Sequence, residues 1–204
     1  MSGANTTKIL TAWREVLAAS EDSIQLAETL AWISEAHPEI ELPSRALVIC
    51  TMTSMLTSIM CVESVVNDIL QNIVRDEYGT SKWQAKWEGV EGLPLKEKVW
   101  HISDLMDFAS PLETHPFLVL DEMLEFRARI VHSKLELVEM QHVSNPASAE
   151  SVGDDVKLVT AWERACTMRN AVRFRDAARA IAHWFILNSG GRFGPDTASI
   201  ERSV

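Results

Sequence analysis

Residues 46–62, ALVICTMTSMLTSIMCV, form the longest uncharged run in the chain. Seventeen residues are few for a membrane span, and five of these are Ser or Thr, so the run predicts a buried helix. It continues into ESVVND at 63–68 with apolar residues still at helical spacing. We therefore predict one long helix from about residue 44 to residue 77, with Pro43 suited to its start and Gly79 to its end.

Helical spacing continues on both sides of this stretch, and the alternation typical of strands is nearly absent. We expect further helices at about 6–19, 22–36, 95–106, 116–141 and 155–188, and a short one carrying Trp83 and Trp87. The predicted class is all-α, an antiparallel helical bundle of about five to seven helices. We expect residues 1–40 to pack on a bundle of residues 41–190, and 191–204 to form a flexible tail. No internal repeat indicates a second domain.

Composition limits the classes of function. The chain has 204 residues, of which 47% are hydrophobic, so it can bury a sizeable core. A net charge of −10 disfavours extended binding to nucleic acid or to an anionic membrane. Cys50, Cys61 and Cys166 are widely spaced and predict reduced thiols. With no signal peptide evident in MSGANTTKIL, the expected location is the cytoplasm.

Several familiar site motifs are missing from the sequence. No glycine-rich loop precedes a helix in the way that a phosphate-binding loop does. The six histidines show no HxH, HxxxH or HExxH spacing, so we expect neither a metal nor a cofactor. No GxSxG nucleophile motif occurs. Charged residues on the predicted helices are therefore the remaining candidates for a functional site.

The stretch EFRARIVHSK at 125–134 places charges inside an amphipathic helix. The predicted apolar stripe of that helix is Leu120, Leu124, Ala128, Val131, Leu135 and Val138. At about 100° per residue, Arg127 lies only about 55° from the centre of this stripe and His132 about 85° away on the other flank. Arg129 points away and is expected to be a solvated side chain. A guanidinium near a buried face is costly unless it is paired or faces a cleft.

Two interpretations of this pair follow from the residues alone. On the structural interpretation, Arg127 is either a snorkelling side chain with a solvated head or a member of an ion pair, and His132 is a half-exposed helix residue. On the chemical interpretation, both residues belong to one site. On the long helix, Glu63 shares a face with apolar residues and therefore needs a cationic partner. We predict that Glu63 meets Arg127 or its neighbours across the two helices, with Asn67 one turn further along.

The segment from Arg127 to His132, RARIVH, resembles the R-x4-H motif of HEPN domains. ESVVN at 63–67 is similar to their acid- and Asn-bearing second helix, and LPLKEKVWHI followed by LDEMLEFRARIVHSK fits their usual order. The resemblance covers about residues 44–141. It implies a metal-independent ribonuclease that works as a homodimer with a composite cleft, often a toxin or phage-defence component with an antitoxin or regulatory partner. It also implies residue roles: catalytic Arg127, His132 and Glu63, and RNA-binding Arg129, Asn67 and Lys134.

One position departs from the family pattern. The residue after the motif arginine is usually polar, most often Asn, and here it is Ala128. Family members without a competent motif act as binding or dimerisation modules, so the alternatives are a non-catalytic HEPN-like module or an unrelated helical protein. The last predicted helix carries six basic residues against two acidic ones between 157 and 188. It is either a solvated face, a polyanion-facing surface or a dimer contact.

Overall fold

The computed structural model describes residues 12–40, 45–131, 139–142, 156–159 and 161–188, with the backbone alone at 76–85, at 161 and in both strands. The helices are α1 (Ala12–Ala36), α2 (Ala46–Glu91), α3 (Leu95–Leu105), α4 (Leu120–Val131), α5 (Ala161–Ala165) and α6 (Met168–Asn188). Single 3-10 turns at Pro111–Glu113 and Phe117–Val119 lead into α4, and β1 (Glu139–His142) pairs with β2 (Val156–Val159). The predicted all-α class is confirmed, with one small ladder added.

The long helix α2 is the centre of the bundle. It packs along α1 and α6, and it also meets α3 and α4. At the seam with α1, the Ser20 hydroxyl lies 2.9 Å from the hydroxyls of both Ser54 and Ser58, and all three residues are fully buried. Small side chains let the two helix axes approach closely, because the distance between packed helices is set by the side chains at the contact.

Aromatic contacts hold α4, and the 3-10 turn that leads into it, against α6. Phe126 stacks edge-on against Phe174, with ring centroids 5.9 Å apart. Phe117 makes similar contacts with Trp184 and Phe185, at 5.2 Å and 5.7 Å. Edge-to-face pairs of this kind add to the stabilisation that burial provides. The 3-10 turn before α4 and the middle of α4 are thereby held against the same partner helix.

The first two helices are longer than the sequence predicted. Residues 12–36 form one helix, so Asp22 is not a helix start, and no Gly or Pro interrupts this segment. Helix α2 passes through Gly79 and Gly89 and ends at Glu91, immediately before the Gly92-Leu93-Pro94 break. A single glycine costs a helix only about 1 kcal/mol, which a long packed helix can absorb. The predicted tryptophan helix is the last part of α2.

The predicted helix at 95–106 is confirmed to within one residue at its end. Helix α3 is followed by Asp107 in the left-handed region, at a φ of 55°. The backbone N–H of Phe108 then donates to the carbonyl of Ser103 at 3.1 Å. This is the Schellman closure, which satisfies a terminal carbonyl and turns the chain back. The turn places Phe108 against Trp184.

The predicted helices at 116–141 and 155–188 were both too long. Residues 139–142 are extended and pair antiparallel with 156–159, with Glu139 opposite Val159 and His142 opposite Val156. Strands of four residues are too short to give a clear alternation signal. Helix α6 begins only at Met168, where the Thr167 hydroxyl accepts from the Asn170 N–H at 3.2 Å as an N-cap. The loop expected at 145–155 and the tail at 191–204 lie outside the described residues.

Part of α2 is apolar over an unusually long stretch. Across the residues that the structure covers, Ala46–Arg75 is the one segment long and apolar enough to cross a membrane, by length and composition alone. The same segment includes the serines at the α1 seam, and Thr51 within it donates to the carbonyl of Cys166 at 3.2 Å. These contacts tie the segment to α1 and to the α5–α6 junction.

Candidate polar site between α2, α3 and α4

An ion pair joins α4 to α2. Arg127 Nη1 lies 2.6 Å from Glu63 Oε1, so the contact predicted from the sequence is confirmed. The Glu63 side chain is 25% exposed and that of Arg127 is 49% exposed. The carboxylate is therefore mostly covered by protein, while the guanidinium keeps about half of its surface in solvent. An arginine in this position can hold its acid with one nitrogen and offer its other N–H groups to a ligand.

The buried face of α4 differs from the stripe expected from the sequence. Leu120, Met123 and Phe126 are buried, whereas Ala128 is exposed and Val131 is 63% exposed. Two apolar stripes were available on this helix, and the buried one contains Phe126, which packs edge-on against Phe174 of α6. Arg127 follows Met123 by four residues, so it borders the observed stripe as closely as it bordered the predicted one.

Lys98 on α3 is a member of this site that the sequence analysis missed. Its Nζ donates to Asn67 Oδ1 at 2.8 Å, and the residue is only 7% exposed. Burial lowers the pKa of Lys98, while the nearby carboxylates of Glu63 and Glu91 act in the opposite direction. A signal was present in the sequence: Lys98 follows Leu95 by three residues and precedes Ile102 by four, which places it on the apolar face of α3.

Four polar side chains from three helices thus form one cluster, which we call the α2–α4 polar site: Glu63, Asn67, Lys98 and Arg127. Glu63 and Asn67 are one helical turn apart on α2, so their Cβ atoms are separated by about 6 Å. Lys98 meets this pair from α3 and Arg127 meets it from α4. The site contains two cations, one amide and one carboxylate, a donor-rich set suited to an anionic ligand.

The remaining predicted site residues do not join this cluster in the described structure. Arg129 is exposed and pairs with Glu125, one turn earlier on α4, at 2.6 Å, which confirms that it is a surface side chain. The structure does not bring it to Glu63. His132 and Lys134 lie outside the described residues.

The arginines of α6 are largely engaged in contacts within the chain. Arg173 pairs with Glu122 on α4 and Arg179 pairs with Glu21 on α1. Arg175 contacts its neighbour Asp176 at 2.7 Å. Of the three interpretations of this basic helix, the contacts favour a solvated face that balances acidic neighbours. Arg173 and Arg179 thus link α6 to α4 and to α1.

In the ranges that the structure covers, no group of three or more His, Cys, Asp or Glu side chains is arranged to hold a metal ion. Comparison of the chain with protein-family models, with curated proteins and with solved structures gave no match.

Proposed function

We propose that this protein is a HEPN-like, metal-independent RNA endonuclease that works as a homodimer. The observation that supports it most directly is the Glu63–Arg127 ion pair. It holds a half-exposed guanidinium five residues before His132, at the last turns of α4. In such a motif the arginine can bind a phosphate group and the histidine can accept or donate a proton.

The proposed reaction needs no metal. One His132 accepts the proton of the ribose 2′-OH, and the 2′-oxygen attacks the phosphorus. The P–O bond to the 5′-oxygen breaks, and His132 of a second copy donates a proton to that leaving oxygen. The products are a 2′,3′-cyclic phosphate and a 5′-hydroxyl. Arg127 stabilises the negative charge that builds up on the phosphoryl oxygens, and Glu63 keeps Arg127 in place.

The exposed apolar residues of α4 support the homodimer. Val131, inside the motif, is 63% exposed, and Ala128 is exposed beside it. A second copy packed against this end of α4 would bury both residues and bring two motifs together across a two-fold axis. We expect sedimentation velocity to give a dimer for the wild type and a monomer for Val131→Glu. A monomeric wild type would count against the composite site.

The activity test compares two histidines. His132→Ala should abolish cleavage of single-stranded RNA, and EDTA should leave wild-type cleavage unchanged. His183→Ala is the matched control, since His183 is exposed on α6 and is not part of the motif. Equal cleavage by wild type and His132→Ala, or products lacking a cyclic phosphate, would overturn the nuclease proposal.

A second candidate is a non-catalytic HEPN-like binding or dimerisation module. Two observations favour it. Ala128 is exposed at the position where the family usually has a polar residue, and Arg173 and Arg179 of α6 are already paired with acids of the chain. This candidate predicts a stable dimer that does not cleave RNA and that the host tolerates equally as wild type and as His132→Ala.

A further inference from the structure

The contact between Lys98 and Asn67 fixes which way an amide points. An ammonium group has three donors and no acceptor, so the atom of Asn67 that faces Lys98 Nζ at 2.8 Å has to be the oxygen. The Asn67 nitrogen and its two N–H groups are therefore on the side of the amide away from Lys98. Without the lysine, the amide could rotate, since its two orientations have nearly the same shape.

A lysine at this place needs a physical reason. Lys98 is 7% exposed, and burying an ammonium is costly unless hydrogen bonds and opposite charges compensate. Here the compensation comes from the Asn67 oxygen and from the fields of Glu63 and Glu91. A methionine of similar length would fill the same space at lower cost. The lysine provides two features that a methionine would not: a positive charge near Glu63 and Glu91, and a fixed orientation of the Asn67 amide.

We propose that Lys98 is a positioning residue. It holds the Asn67 amide so that its two N–H groups bind an oxygen of the phosphate group that Arg127 contacts. The ligand chemistry is a tetrahedral phosphate oxyanion, either inorganic phosphate or the phosphodiester of RNA. This inference rests on the proposed function, because it assigns Asn67 and Lys98 to the same phosphate site.

The central measurement is the NMR signal of the Asn67 side-chain amide in ¹⁵N-labelled full-length protein. Inorganic phosphate and a dinucleotide with a 2′-deoxy residue at the scissile position, which cannot be cleaved, are titrated separately. We expect both to shift the two Asn67 side-chain N–H signals and the Arg127 Nε–H signal. A response to inorganic phosphate alone identifies a free-anion site, which contradicts the RNA part of the proposal.

The role of Lys98 is tested by replacing it with methionine and comparing the result with a control variant. Lys98→Met should abolish the phosphate-induced shift at Asn67 and weaken phosphate binding about tenfold, the loss expected for a hydrogen bond to a charged ligand. Lys96→Met is the matched control on the same helix, because Lys96 is an exposed lysine that pairs with Asp121 at 2.8 Å. It should leave both readouts unchanged. Unchanged affinity and an unchanged Asn67 shift in Lys98→Met would overturn the proposal.

A second variant covers the case in which Lys98→Met does not fold. Asn67→Asp keeps an oxygen for Lys98 but replaces the two N–H donors with another oxygen. It should lose phosphate affinity about tenfold or more, read at the Arg127 Nε–H signal. Equal affinity would overturn the proposal. The nuclease proposal is tested separately: phosphate binding that depends on Lys98 without RNA cleavage rejects the nuclease alone, and cleavage that is unaffected by either variant rejects the positioning role alone.

Discussion

Glu63 and Arg127 lie on different helices, α2 and α4, and meet at 2.6 Å with the carboxylate the more buried of the two. This difference in exposure has two consequences. Glu63 gains a partner that it needs because water reaches it poorly. Arg127 is restrained to one orientation while half of its surface stays in solvent, where it can meet a ligand. The same contact is therefore both a structural link and a means of placing a cation.

The coupling between these two residues can be measured by a double-mutant cycle. Glu63→Gln, Arg127→Met and the double variant should give a coupling free energy of about 0.5–1 kcal/mol in urea denaturation, because one partner is largely desolvated. The matched cycle is Lys96→Met with Asp121→Asn, whose side chains are 43% and 72% exposed and which should couple by less than about 0.5 kcal/mol. Equal coupling in the two cycles would contradict the special status of the Glu63–Arg127 pair.

The buried hydroxyls at the seam of α1 and α2 should contribute measurably to stability. Ser20→Ala leaves the Ser54 and Ser58 hydroxyls without their shared partner in a fully buried position. We expect the free energy of unfolding to fall by about 1–2 kcal/mol. Ser23→Ala is the control on the same helix, since the Ser23 hydroxyl only donates back to the carbonyl of Ala19. A change above about 0.5 kcal/mol in the control, or none at Ser20, goes against this account.

Asp68 should make stability depend on pH in an unusual direction. Burial raises the pKa of its carboxyl to about 6, and its Oδ2 is buried without a hydrogen-bond partner. The folded state therefore binds more protons than the unfolded state between about pH 4 and pH 6, so this group's contribution to stability falls as the pH rises through that window.

The test for Asp68 is the neutral variant Asp68→Asn. At pH 7.5 it should be about 1 kcal/mol more stable than the wild type, after allowing for the solvent that still reaches this half-buried carboxyl. The advantage should shrink towards pH 4. Chemical denaturation at both pH values measures it, and a stability difference that is independent of pH would refute the assignment.

The three thiols should react in a defined order. Burial, with a smaller effect from Glu21, raises the pKa of Cys61 to about 12, and burial raises the pKa of Cys166 to about 11. Cys50 is partly exposed. In native protein at pH 8, a thiol reagent should modify Cys50 first, since the other two have almost no thiolate and little access. The Cys50→Ser variant should stay unlabelled until it is unfolded, and rapid labelling of this variant would contradict the buried positions.

Local sequence patterns were sufficient for some elements and not for others. The end of α3 was predictable because its cap is a local motif, and the core position of α2 followed from its long apolar run. The extension of α2 past Gly79 was not predictable, because one glycine costs too little to decide the matter without knowledge of the packing. The β1–β2 ladder was missed because four-residue strands carry almost no periodic signal.

The candidate site likewise has some features that were predictable from the sequence and others that were not. The contact of Glu63 with Arg127 was predictable, because a charge on an apolar face needs a partner and these two residues carry opposite charges. Lys98 could have been found by the same reasoning applied to α3. The choice between two apolar stripes on α4 could not, because it depended on how Phe126 and Phe174 fit together.

The sequence by itself determined that the chain is helical, where α2 and α3 begin, and which charged residues would need partners. These properties follow from the spacing of side chains along the chain and from the cost of burying charge. Only the tertiary structure decided which face of α4 is buried, that Lys98 contacts Asn67, and that Arg173 and Arg179 of α6 pair with acids of the same bundle. These depend on which helices become neighbours, and helix packing selects among arrangements that a single helix leaves equally open.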